Sequence, residues 1–223
     1  MATLDELKNS KEMRDNILTI YVNFYWIHKW IIEVCSVFLV KEKNVERQLE
    51  LVEQMWDERA QMKEFKSCAI ELGYDWDEIP HDSLLFESMR ERYNRFKTTG
   101  SYFDVVIGMN IFSEGIFGIT ELEELYKKSP EIFPRFPGFI KEEEEHAQIG
   151  LSKLEEAIEN DQQLIPEIKG VVNTYRETLM RTAEDEQFSN FLKTLMSLDL
   201  LPTNIVDIAV KKYDEKLGYI YSL

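Results

Sequence analysis

The sequence predicts an all-α protein, an antiparallel four-helix bundle core with extra C-terminal helices. Three observations predict it. Apolar residues recur at a spacing near 3.6 over long stretches. No stretch alternates apolar and polar residues between turn pairs, as a half-buried strand would. The 223 residues contain only nine glycines and six prolines to interrupt helices. The length suits a single domain, 1–223, with the core bundle at about 13–160 and the additional helices at about 165–222.

The first predicted helix runs from Met13 to Val40. Its stretch 17–40 is rich in apolar groups, but Asn23, His28, Lys29 and Glu33 interrupt it, which favours a buried core helix over a membrane span. The polar connection Lys41-Glu42-Lys43-Asn44 is short, so the second helix, Val45 to Leu72, should be an antiparallel neighbour. Gly73 stops it. Tyr74 to Pro80 reads as a loop, after which Asp82 or Ser83 caps a shorter helix through Phe96. Thr98-Thr99-Gly100-Ser101 breaks the pattern, and the third long helix follows from Tyr102 to Lys127. Ser129 to Gly138 holds three of the six prolines and is a connector. The fourth long helix spans 136–160, and two more lie near Pro166–Leu198 and Thr203–Tyr221, split by Leu201-Pro202.

The chemistry concentrates in the fourth helix, within Phe139-Ile140-Lys141-Glu142-Glu143-Glu144-Glu145-His146-Ala147-Gln148-Ile149-Gly150. Glu143 and His146 are three apart, on one helix face, so a carboxylate and an imidazole can meet at one cation. Four glutamates in a row are usually a solvated run, and periodicity separates them. Phe139/Ile140, Glu143, Ala147, Gly150, Leu154 and Ala157/Ile158 share a stripe, with His146 at its edge, while Glu142, Glu144 and Glu145 point elsewhere. A buried carboxylate is costly unless it is paired or bound to metal.

Two other helices show the same feature. The third places Glu114 on a stripe with Phe103, Ile107, Asn110 and Phe117/Gly118. The second places Glu58 among Leu51, Met55, Met62, Phe65, Ala69 and Leu72, with Gln61 three residues on. Glu58 and Glu143 are separated by 85 positions, as are Gln61 and His146, and His28 lies 86 before Glu114, a weak internal repeat. For each of these residues a core ion pair or a hydrogen-bonded histidine is the alternative to a metal ligand. Glu33 reads as an ordinary helix-face partner of Lys29, and His81 as a surface residue. Trp26, Trp30, Trp56, Tyr21, Tyr25 and Tyr102, together with Met55 and Met62, read as core.

Composition narrows the partners. The formal net charge of −16 argues against nucleic acid and anionic membrane surfaces. Cys35 and Cys68 sit in apolar helical patterns and imply no disulfide framework, and the N-terminal Met-Ala-Thr-Leu-Asp-Glu-Leu-Lys shows no signal peptide, so a reducing, cytoplasmic setting is expected. There is no Gly-rich phosphate loop, nucleophile elbow or Cys-x-x-Cys pair.

A glutamate on one helix and Glu-x-x-His on the next, presented twice, is the ligand arrangement of the ferritin-like di-metal carboxylate superfamily. The chain resembles that superfamily at Ser113-Glu114-Gly115-Ile116-Phe117, which is similar to the Glu-Gly-Ile-Phe stretch of ribonucleotide reductase small subunits, and at Phe136-Pro137-Gly138. Its Glu-x-x-His-x-x-x-Gly is similar to that of aldehyde-deformylating oxygenases. The resemblance is concentrated in the second helix pair and omits the last 60 residues. It implies a non-haem oxidase or oxygenase whose dinuclear iron or manganese activates dioxygen on a small organic substrate. Glu143 and His146 would hold one metal, with Glu114 and Glu58 bridging. In the first helix pair Gln61 stands where the family has histidine, and His28 near where it has a carboxylate, so the second metal should bind more weakly. A homodimer is compatible with this reading. The alternatives are a structural or partner subunit with a degenerate site, marked by Gln61, and an iron-oxidising storage protein.

Overall fold

The computed structural model describes residues 7, 9–99, 101–181 and 184–223, and among these every regular element is helical. They fall into two compact units, Asp5–Thr99 and Gly100–Leu223.

The N-terminal unit is built on two long helices, α1 (Lys11–Lys41) and α2 (Val45–Glu71). Ser10 caps α1 by accepting from the Met13 N–H, and Asn44 caps α2 by accepting from the Glu46 and Arg47 N–H groups, satisfying donors that a helix start leaves open. The three-residue connection folds them antiparallel: Ser36 meets Met55, His28 meets Glu58, and Tyr21 and Phe24 reach Phe65. The predicted stripe on α2 is rotated by about a residue. Gln54, Glu58, Gln61, Phe65, Cys68 and Ala69 are buried, whereas Met55 and Met62 are only half-buried and Trp56 is 66% exposed. Apolar patterning misled here because α2 carries apolar residues on both its faces.

The shorter helix expected through Phe96 is interrupted. It divides into α3 (His81–Leu84) and α4 (Glu87–Thr99), because buried Asn23 of α1 bonds the break, donating to the Leu84 carbonyl and accepting from the Phe86 N–H. His81 is not the surface residue that its loop position suggests. The Trp26 indole donates to its Nδ1, and its ring lies 4.6 Å from that of Trp76. Cys35 and Cys68 are buried and form no disulfide.

The C-terminal unit opens with α5 (Tyr102–Lys128), capped by a reciprocal Ser101–Asp104 box. Its middle, Val106–Gly118, is π-helical: the Ile119 N–H bonds the Glu114 carbonyl five residues back, and the Ser113 hydroxyl bonds that of Gly108. Such a run is rare and associated with functional sites. Among the described residues α5 is the one helix long and apolar enough to cross a membrane, but 89% of its apolar window is buried, so the core takes up that surface.

Next comes α6 (Phe136–Asn160), with Pro137 in its first turn. It runs antiparallel to α5, since Gly115 meets Ala147 and Gly150 meets Asn110 and Ile111. Of Glu142 to Glu145, only Glu143 is buried.

The predicted helix Pro166–Leu198 is two helices, α7 (Ile165–Met180) and α8 (Glu186–Ser197). Asp185 accepts from the Phe188 N–H, and this cap starts a new helix where the apolar spacing alone suggested continuation. The last helix, α9 (Ile205–Leu217), ends in a 3-10 turn, Gly218–Ser222. Tyr175 of α7 packs on Phe112 and reaches Asp104, Phe188 of α8 packs on Phe117, and Lys212 of α9 pairs with Glu123 at 2.7 Å. Arg176 grips Asp214 through two bonds of 2.7 and 2.8 Å, tying α7 to α9.

Candidate metal-binding residues

In the C-terminal unit, Glu114 on α5 and Glu143 and His146 on α6 form one buried cluster, each about 3% exposed. The His146 Nδ1 lies 3.5 Å from Glu114 Oε2 and 3.8 Å from Glu143 Oε2. Both separations exceed the usual hydrogen-bond length of about 2.7–3.2 Å. They approach the roughly 3–3.5 Å between donor atoms that share one ion at about 2.1 Å each. Glu143 Oε2 is buried without a hydrogen-bond partner.

Glycine makes this geometry. A Cβ at position 115 would come within 2.3 Å of Ala147 Cβ, and one at position 150 within 3.0 Å of both Asn110 and Ile111. The two small residues let the α5 and α6 backbones approach, bringing Glu114 up to the Glu-x-x-His face. In the Glu-Gly-Ile-Phe stretch the glycine is therefore as much part of the site as the glutamate.

In the N-terminal unit, His28 of α1 and Glu58 and Gln61 of α2 form a second buried cluster. The His28 Nδ1 meets Glu58 Oε2 at 2.5 Å, and the His28 ring stacks 5.3 Å from that of Phe65. The Gln61 amide is 1% exposed, and neither its oxygen nor its nitrogen has a hydrogen-bond partner. Each hairpin thus carries a ligand-type residue on its first helix opposite a residue of a pair three apart on its second. The chemistry differs: Glu114 and Glu143 approach His146, while His28 meets Glu58, with Gln61 three residues further along α2.

Glu33 lies outside both clusters. Burial raises its pKa, but hydrogen bonds from Lys29 and Lys97, each 2.5 Å, outweigh this and leave it below the usual value. Its pairing with Lys29 is the one the sequence suggested.

One buried carboxyl escaped sequence reasoning. Glu121 of α5 lines a small cavity with Thr120, Phe117, Leu192, Ile205 and Ala209, and burial in these apolar surroundings raises its pKa to about 7. It sits in the run Glu121-Leu122-Glu123-Glu124, which looks solvated. Yet it stands seven residues, two turns, beyond Glu114, so the stripe through Glu114 and Phe117/Gly118 reaches it when extended by one turn.

Comparison with protein-family models and with curated proteins finds no match.

Proposed function

We propose that this chain is a ferritin-like, non-haem metal protein that binds iron or manganese and activates dioxygen for oxidation of a small organic substrate. The observation that carries the metal reading is a pair of buried polar groups without hydrogen bonds, the Glu143 carboxylate oxygen and the Gln61 amide. A buried polar group left unsatisfied costs about 1–3 kcal/mol, and more when charged. A cation in each cluster relieves the cost at the Glu143 oxygen and at the Gln61 amide oxygen, and carboxylates with a few imidazoles suit iron or manganese.

In this reading Glu114, Glu143 and His146 hold the tighter ion. The cluster of His28, Glu58 and Gln61 supplies a weaker position, in which Gln61 offers a neutral amide oxygen. When bound, the metal supplies the redox chemistry on dioxygen. The chain fixes ligand geometry through the Gly115–Ala147 approach and excludes water through the apolar residues around Glu114 on α5. The ferritin-like fold belongs to the same proposal and rests on two helix hairpins with ligand-type residues at matching positions. Nucleic acid and membrane surfaces have no place in it, given the net charge of −16.

A second reading, a partner subunit with a degenerate site, is favoured by one contact. The His28 Nδ1 and Glu58 Oε2 lie 2.5 Å apart and bond one another without an ion. Metal analysis of protein expressed with added iron and manganese, and purified without chelator, tests the choice. The proposal expects at least one equivalent of iron or manganese and oxygen uptake by the loaded protein. A folded protein that takes up neither metal leaves the partner-subunit reading. Assembly into a closed cage on gel filtration would instead indicate iron storage.

A further inference from the structure

The outward face of α2 carries two parallel seams. Val45, Leu49, Val52 and Trp56 are spaced four, three and four apart and are 63%, 52%, 46% and 66% exposed. This is the spacing of a coiled-coil seam, and α2 turns a different set of residues to its own core. Beside it, one residue further along, Glu46, Glu50, Glu53 and Asp57 repeat the same four-three-four pattern, Glu50 half-buried and the other three exposed. Exposed apolar residues scattered singly are ordinary, but a continuous helical strip with a charged rim marks an interaction surface.

We propose that this face docks an amphipathic helix of another protein, one with an apolar seam flanked by lysine or arginine. Charge decides the occupant. Antiparallel pairing of two copies would bring Glu46 and Glu53 of one near the same residues of the other, and two chains of net charge −16 repel. An anionic membrane surface meets the same repulsion. A basic flank complements the exposed Glu46 and Glu53, while the apolar seams exclude water between the helices. Arg59, whose guanidinium lies over the Trp56 ring at 5.0 Å, orients that indole at one end of the strip.

The test uses the full chain and two labelled three-heptad peptides with leucine at the seam and either lysine or glutamate along the flank. Anisotropy titration should show the lysine peptide binding and the glutamate peptide at least tenfold weaker, with the preference reduced at high salt. Leu49→Ser should weaken the lysine peptide about tenfold. The double variant Glu46→Lys/Glu53→Lys, exposed and remote from the α2 core face, should invert the preference between peptides. Equal binding of both peptides, no binding of either, or an uninverted preference in the double variant would overturn the proposal. So would a wild-type dimer in sedimentation that Leu49→Ser disperses, since a second copy would then be the occupant.

Discussion

Gly115 lies so close to Ala147 that a Cβ on it would stand 2.3 Å from the Ala147 Cβ and 2.9 Å from the Asn110 carbonyl oxygen. Neither neighbour is the free end of a flexible side chain, so α5 and α6 must separate to admit even one methyl. Gly115→Ala is therefore expected to destabilise the protein by about 1–3 kcal/mol, the usual range for overpacking. It should also lower metal uptake, because the separation moves Glu114 away from His146. Gly138→Ala is the control, since a Cβ there meets nothing within 4 Å. Denaturant melts and metal analysis of the two variants check this, and equal behaviour would show that the close approach does not set the site.

The four glutamates at 142–145 allow a sharper comparison. Glu143 and His146 are buried, while Glu144 is exposed. His146→Ala should lower iron or manganese content strongly, because neighbouring groups offer no second imidazole. Glu144→Ala should leave it unchanged and alter stability by less than about 0.5 kcal/mol, as surface substitutions generally do. Metal-to-protein ratios after identical loading decide it, and similar losses in both variants would count against the burial argument.

Glu121 predicts a pH dependence separate from the metal. Its folded pKa, raised to about 7 by burial, stands above that of an unfolded glutamate near 4.3. Between these values the unfolded chain releases a proton that the folded chain keeps. Stability is thus fully present below about pH 4.3, falls as pH rises toward 7, and levels beyond. The loss amounts to roughly 3 kcal/mol. Glu121→Gln removes the titration, so its stability relative to wild type should improve by about that amount between pH 4 and pH 8. Urea melts at the two pH values measure it. A difference that does not change with pH would mean that Glu121 titrates normally.

Much of the helical layout could be read from spacing alone. The short polar connection at 41–44, the proline-rich connector and the stripe through Glu143, Ala147, Gly150 and Leu154 are local signals, and local signals survive into the structure. What spacing missed arose from choices made elsewhere in the chain. Asn23 decides the break after Leu84, and Asp185 competes with the helix that apolar period suggested. An outward apolar seam on α2 imitates a core stripe and drew Trp56 inward. The glutamates of α5 and α6 were legible because burial of a charge interrupts an apolar pattern. The close approach that unites them was not, because a glycine carries no sign of what it lies against.

The last prediction concerns how many ions bind and how tightly. A site holds a divalent cation the better the more negative charge its ligands supply. The cluster of Glu114, Glu143 and His146 supplies two carboxylates, whereas that of His28, Glu58 and Gln61 supplies one. His28 is a poor substitute, since it lies 2.5 Å from Glu58 and already draws on that carboxylate. Metal titration of the apo-protein should therefore show one tight and one weak site, the tight one lost in His146→Ala. Gln61 is 1% exposed and its amide makes no hydrogen bond, so an imidazole placed there faces no bond that it must first break. Gln61→His should strengthen the weak site by about tenfold or more, while the tight one stays unchanged. Two equally tight sites in the wild type would require a further carboxylate. Glu33 is the nearest in sequence to His28, and it would have to leave both Lys29 and Lys97, which hold it at 2.5 Å. A titration in which Gln61→His has no effect would remove Gln61 from the site and leave the Glu114, Glu143 and His146 cluster as the whole of it.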